Sequence, residues 1–172
     1  MVKIESLKDY IGVLNEDDFI RLSKQIYDIT DFICEDYPKY FHKQIPRIFT
    51  PNGEILFARS EEDYNKIIAM ACLKKDDEEQ KICTLYVSDQ CRGQHLGTRM
   101  VEASMEFLGT TKPLITLADY KLPMFQPIID KYDWELTEVV CGLYNDRAKE
   151  LCFNGKLTKE NINEQTKKVL KK

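Results

Sequence analysis

Residues 82–108, ICTLYVSDQCRGQHLGTRMVEASMEFL, decide how this chain reads. Ile82 to Val87 is a strand-like apolar run that enters a polar turn containing Arg92-Gly93 and Gly97-Thr98. Leu96, Met100, Ala103 and Phe107 then recur at spacings of four, three and four, the period of a helix with one apolar face. A strand that ends in glycines and feeds straight into a helix leaves several backbone N–H groups unpaired, with the positive end of the helix dipole behind them. That arrangement is an anion site, most often for phosphate. The plainer reading of the same residues is a tight turn into a surface helix.

Spacing separates the known kinds of phosphate loop. A Walker-type loop requires G-x-x-x-x-G-K-[ST]; here Gly93 stands four residues before Gly97 and Thr98-Arg99 follows, so the pattern fails. A dinucleotide fingerprint requires G-x-G-x-x-G and an acidic ribose partner about twenty residues on, and the triple glycine is missing. The stretch Arg92-Gly93-Gln94-His95-Leu96-Gly97-Thr98 instead resembles R-G-x-G-[I/L]-G-T, the pyrophosphate-binding loop of the GNAT superfamily of acetyl-CoA-dependent N-acetyltransferases. His95 stands where that loop has its central glycine. Upstream, Leu85-Tyr86-Val87-Ser88 is similar to the family's L-x-V-x-x-x-x-R-G strand, with four residues between Val87 and Arg92. Downstream, Lys131-Tyr132-Asp133-Trp134-Glu135-Leu136 is similar to K-x-G-F-E-x, which closes the second conserved helix and opens the next strand. The resemblance covers residues 82–140, with a weaker fit elsewhere.

A chain of 172 residues is long enough for one domain with a substantial core and short for two. That domain is expected over residues 1–155, with a lysine-rich tail over 156–172 that is either a loosely docked helix or frayed. With 43% hydrophobic and 31% charged residues and only seven glycines, disorder and collagen-like repeats are excluded. No apolar run approaches the length of a membrane span, and MVKIESLKDYIG lacks a basic-then-apolar signal pattern, so a cytoplasmic protein is expected. Cysteines 34, 72, 83, 91, 141 and 152 form no C-x-x-C pair and are not grouped with the two histidines, so no metal site is expected. Cys72, Cys83, Cys141 and Cys152 fall in apolar strand-like runs and read as buried free thiols.

The formal charge of −4 is uneven: the lysine-rich tail carries +4, leaving −8 on residues 1–155. Acidic clusters stand at Glu16-Asp17-Asp18, Glu35-Asp36, Glu61-Glu62-Asp63 and Asp76 to Glu79. Most of these read as solvated turns and helix starts, but the balance disfavours nucleic acid and suits a cationic partner.

Outside the loop, Val2 to Leu7 reads as an opening strand. Asn15 caps a helix whose buried stripe is Phe19, Leu22, Ile26, Ile29 and Ile33, ending before Pro38. A short helix over 39–45 is expected to stop at Pro46, and Pro51-Asn52-Gly53 is a turn. Strands follow at Glu54–Arg59, Lys66–Leu73 and Lys81–Val87, the last two joined through Asp76 to Glu79. The loop helix spans Gln94–Leu108 and stops at Gly109. Leu114–Ala118 is a strand, a helix from Pro123 or Met124 to Tyr132 carries Pro127 in its first turn or kinks there, and Trp134–Tyr144 with Ala148–Phe153 makes a closing hairpin through Asn145-Asp146. The order β-α-α-β-β-β-α-β-α-β-β defines a mixed α/β sheet protein, and it is also the order the GNAT resemblance implies.

The resemblance implies an acetyl-CoA co-substrate and no metal. Its pyrophosphate would lie on the loop Arg92, Gly93, Gln94, His95, Leu96, Gly97 and Thr98, and its pantetheine arm along Leu85, Tyr86 and Val87. An amine of a small molecule or peptide would attack the thioester directly, and CoA would leave as thiolate. No general acid or base carries over. The usual tyrosine position is Ile129, an asparagine position is Leu122, and the base positions on the strand are Lys81 and Cys83. Tyr120, Tyr132 or Tyr144 could substitute, though each also reads as packing. His42 with Tyr37, Tyr40, Glu35 and Asp36 would form an acidic, aromatic wall for the amine, or else a plain polar connection. The absent acid and base leave a second reading, a non-catalytic acyl-CoA-binding module on the same fold. A third, acetylation of aminoacyl-tRNA, has only the basic tail in its favour. A homodimer is compatible with all three.

Overall fold

Asn15 starts the first long helix: its Oδ1 accepts the N–H of Asp18 at 2.9 Å, capping α1 (Glu16–Thr30). The structure is a computed structural model that describes residues 2–30, 45–143 and 147–157. Glu16, Asp17 and Asp18 fill the first turn of α1, where the helix dipole favours carboxylates. Leu22 and Ile26 are buried, and Phe19 and Ile29 pack at the margin of the same cluster. Ile33 and the expected helix end before Pro38 lie outside the described residues. So does the helix expected over 39–45, except for its last position. Residues 45–48 are helical, so Pro46 sits within helical backbone.

The chain divides into two compact units, Met1–Gly109 and Thr110–Lys172. In the first, β1 (Ile4–Ser6), β2 (Gly53–Arg59), β3 (Ile67–Lys75) and β4 (Gln80–Val87) form an antiparallel series in chain order. The β3–β4 turn is fixed by Asp76, whose Oδ1 accepts the N–H groups of Glu78 and Glu79 at 3.0 and 2.9 Å. Lys74 Nζ bridges Asp76 at 2.8 Å and the buried Glu79 at 2.6 Å. Burial alone would raise the Asp76 carboxyl, but the hydrogen bond from Lys74 and those from the turn amides hold it below the usual carboxylate range.

Alternation along the strands fills one face with Ile55, Phe57, Met70 and Cys72, which join Leu7, Leu22, Ile26 and Ile48 in a single cluster. The loop helix, α2 (Leu96–Leu108), packs on β3 and β4 and ends at Gly109, whose φ of 71° forms a left-handed cap. It begins two residues later than predicted. Its buried side is Leu96, Met100, Val101, Ser104, Met105 and Leu108. Ala103 and Phe107, expected on that stripe, are only half-buried. The helix is rotated so that Ser104 enters the core, its Oγ donating to the Met100 carbonyl at 2.6 Å.

The second unit holds β5 (Leu114–Ala118), α3 (Leu122–Lys131), β6 (Leu136–Cys141) and β7 (Lys149–Phe153). Pro123 stands in the first turn of α3. Pro127 is its sixth residue, inside the helix, and brings no N–H for the Pro123 carbonyl. The closing hairpin is shorter than expected, and its turn at 144–146 lies outside the described residues. It folds back so that β7 pairs antiparallel with both β5 and β6. That leaves β6 with one partner, and its Leu136, Val139 and Cys141 are exposed. Cys141 is therefore not the buried thiol its apolar surroundings suggested, and Cys83 is half-buried, whereas Cys72 and Cys152 are buried as expected.

Helices and strands thus follow the mixed α/β order read from the residues. No described helix is long and apolar enough to cross a membrane. Phe57 is fully buried at the centre of the first unit's cluster. Phe57→Ala is expected to cost about 3–5 kcal/mol of folding stability, read as a lower urea midpoint at unchanged slope.

Candidate active site

At the end of β4 the Ser88 N–H donates to the Ile68 carbonyl at 2.8 Å, extending contact with β3 into the loop. A 3-10 turn at Asp89–Cys91 follows, with Cys91 N–H on Ser88 at 2.9 Å and Arg92 N–H on Asp89 at 3.3 Å. The Arg92 guanidinium meets the Asp89 carboxylate at 2.8 Å, and both side chains are largely solvated. Gly93 takes φ of 76° with open space where a Cβ would stand. His95 takes φ of 60° and ψ of 6°, a left-handed residue immediately before α2. Its carbonyl accepts the first helical bond, from Arg99 N–H at 3.0 Å.

An ordinary helix start fills its free N–H groups with a Ser, Thr, Asp or Asn cap. His95 makes no such bond. Among the described residues, the main-chain N–H groups of 93–98 have no acceptor. Arg92, Gly93, Gln94 and His95 are exposed, Gly97 and Thr98 half-buried, and Leu96 buried as the helix anchor. A Cβ on Gly97 would lie 3.7 Å from Val87 Cγ2, so the first turn of α2 sits against the last residue of β4. The structure thus brings together the loop residues and Leu85, Tyr86 and Val87, which pair with Ala71, Met70 and Ala69 of β3. One irregularity was not read from the sequence. Cys72 faces Thr84 while Leu73 faces Ile82, so Cys83 is the extra residue of a β-bulge, which sharpens the twist of β4.

The candidate acid and base positions behave as packing residues. Ile129 is buried in α3, and Leu122 is the half-buried first residue of that helix. Lys81 is buried on β4, and the Cys83 side chain packs at the edge of the α1 cluster. Tyr120 is exposed, and Tyr132 is half-buried with Lys131 Nζ 5.1 Å from its ring centre. His42, Tyr37, Tyr40, Glu35, Asp36 and Tyr144 lie outside the described residues.

Glu54 and Glu150 are among the buried strand carboxylates that were not singled out by sequence. Glu54 accepts Ser6 Oγ at 2.8 Å and the Ile55 N–H at 2.9 Å. Glu150, on β7, has no hydrogen-bond partner among the described residues. Burial raises both carboxyls above their ordinary range. The available signal was a single acidic residue interrupting the apolar run Ala148–Phe153.

The model of the Acetyltransferase (GNAT) family matches residues 21–117, more than half of the chain. The chain belongs to the GNAT acetyltransferase family. Among solved structures, NAA60 of Arabidopsis thaliana in complex with acetyl-CoA is similar at a TM-score of 0.64 and 12% identity, over 89% of this chain and 97% of that one. The ribosomal-protein-S18-alanine N-acetyltransferase of Escherichia coli is similar at 0.62 and 11%, over 92% and 97%. Nourseothricin acetyltransferase is similar at 0.52 and 13% over 60% of this chain, which spans 64% of that protein's length. At these identities the likeness is one of fold. No curated protein matches the sequence.

The two glycines of the GNAT motifs that are replaced here are explained by backbone angle. His95 stands at φ of 60° and Asp133, in the second motif, at φ of 49°. Both positions need the left-handed region that glycine enters freely, and His and Asp are among the side chains that enter it most readily. His95→Gly is expected to leave stability within about 1 kcal/mol. His95→Val, β-branched at the same angle, should lose about 1–3 kcal/mol in urea denaturation.

Proposed function

We propose that this GNAT chain is an N-acetyltransferase that moves acetyl from acetyl-CoA to a primary amine of a small molecule or peptide by direct attack. One observation carries the reading: among the described residues, six consecutive main-chain N–H groups, 93–98, find no acceptor at the uncapped start of α2. A diphosphate fits such a donor set, because each N–H can meet an oxygen and the dipole of α2 favours the negative charge. Arg92, Gly93, Gln94, His95, Leu96, Gly97 and Thr98 would hold the pyrophosphate, and the backbone of Leu85, Tyr86 and Val87 the pantetheine arm. When bound, acetyl-CoA supplies an activated acetyl thioester.

The buried Ile129 does not bar this chemistry. A thiol has an unperturbed pKa of about 8.5, so its thiolate is a competent leaving group without a tyrosine acid. General acid–base help contributes roughly 10² to 10⁴ in rate, and positioning survives its loss. Support for an amine acceptor comes from the S18-alanine enzyme's own substrate and from the −8 charge of residues 1–155, which suits a cation and repels nucleic acid. Action in the cytoplasm accords with this reading. The second reading, an acyl-CoA-binding module without turnover, rests on the side chains at the acid and base positions, Ile129 above all.

Acetyl-CoA at a hundred times its dissociation constant should stabilise the fold by about 2.7 kcal/mol, a rise of about 5–10 °C in Tm for a chain of this size. Gly97→Ala should keep that rise, since its Cβ meets Val87 at ordinary contact distance. Gly97→Glu should abolish it by setting a carboxylate against the phosphates. Absence of any rise with acyl-CoA in the wild type would refute the proposal. Binding with no amine-dependent release of the CoA thiol would establish the second reading in its place.

A further inference from the structure

Ile11, Gly12, Leu14, Glu16, Phe19 and Phe49 line a groove of about 270 Å³ in the first unit. Its backbone is fixed by local hydrogen bonds. The Tyr10 carbonyl accepts the N–H groups of Val13 and Leu14, both at 3.2 Å, and Gly12 makes the bend at φ of 75°. Two rings form part of the lining, with the centres of Phe19 and Phe49 6.1 Å apart. Apolar surface extends around it: Val13 is 74% exposed, Phe49 59% and Ile20, next to Phe19 along α1, 55%. Single exposed apolar residues are ordinary, but a grouped set with a polar rim marks a docking surface.

The groove lies at the end of this unit's strands away from the anion loop. Ile4, at the start of β1, shares a row with Ala58, Ala69 and Val87, so β1 begins at the loop end. The chain leaves β1 after Ser6, passes through the 3-10 turn Leu7–Tyr10 and reaches the groove at Ile11. Charges at the rim narrow the occupant. Glu16 lines the groove and Asp17 follows it; both are exposed, and neither forms an ion pair among the described residues. The basic residues of this stretch are engaged elsewhere: Arg21 meets Asp18 at 3.2 Å, and Lys8 donates to the Thr50 carbonyl at 2.8 Å. The rim is therefore negative. Across the two-fold axis of a dimer its carboxylates would face their own copies, which opposes a second copy as occupant. An anionic bilayer is repelled by the same charges. An apolar segment flanked by lysine or arginine suits both lining and rim.

We infer that this groove docks a segment of a partner protein whose apolar side chains are flanked by lysine or arginine. The site goes beyond the acetyltransferase reading and shares no residue with the anion loop.

Three capped, fluorescein-labelled peptides test it on the full chain: leucine–phenylalanine flanked by lysine pairs, the same core flanked by glutamate pairs, and lysine pairs flanking two serines. Only the first should raise the fluorescence anisotropy, and added salt should weaken its binding. Glu16→Gln combined with Asp17→Asn should weaken it about fivefold, as two exposed ion pairs are lost. Phe49→Ser should weaken it about tenfold or more by opening the lining. Both variants should melt cooperatively and keep whatever Tm rise acetyl-CoA gives the wild type. The comparison of peptides on wild type needs no variant and stands if either fails to fold. Equal binding of the lysine- and glutamate-flanked peptides, equal binding of the serine peptide, binding of none, or undiminished binding by folded Phe49→Ser would overturn the assignment. So would a dimer that Phe49→Ser breaks, which gives the groove to a second copy, or uptake by phosphatidylserine vesicles, which gives it to a membrane. An absent acetyl-CoA response in wild type sinks the acetyltransferase reading alone.

Discussion

The first turn of α2 depends on a histidine held in a backbone conformation that most side chains avoid. With φ of 60°, His95 is the last of the turn residues that lead from Cys91 into the helix, and it offers no side-chain cap. Both features work in the same direction. The abrupt turn keeps Gly97 against Val87, so the donors stay close to the strand end, and the missing cap leaves those donors to solvent or ligand. A serine or aspartate at position 95 would strengthen the helix alone while occupying the groups that make the loop useful.

Much of this was legible because the local signals agree with the fold. Asn15 with three acidic residues behind it announced α1, Gly109 announced the end of α2, and Leu114–Ala118 was read to the residue. The loop was legible from glycine spacing, since glycine marks places where backbone angle overrides side chain. What stayed hidden required partners distant in sequence. The bulge at Cys83 exists only in the pairing of β4 with β3, and nothing in ICTLYV marks it. Cys141 looked buried because its own run is apolar, but exposure was settled by β7 taking the inner position and leaving β6 at the edge. The rotation of α2 is of the same kind: Ser104 lies inward because the sheet beneath it, not the helix's own pattern, selects the face.

The two departures from the family motifs carry a more general lesson. A sequence comparison scores His95 and Asp133 as mismatches, since neither is glycine. The coordinates place both in the left-handed region that glycine enters freely. The catalytic positions differ in kind. Ile129 cannot reproduce what a tyrosine hydroxyl does, whatever its backbone angle. Backbone angle thus accommodates the departures at His95 and Asp133, whereas Ile129 is a change of side chain buried in α3.

Arg99 gives the loop a second mechanical connection. Its guanidinium donates to the carbonyl of Val2 at 2.7 Å, so the fourth residue of α2 holds the chain just ahead of β1. A cation that could have faced outward is instead tied to the segment that enters β1. One hydrogen bond therefore joins the helix that presents the donors to the residues entering β1, which is itself paired with β2. The segment ahead of β1 is thereby moored to the helix that carries the free donors.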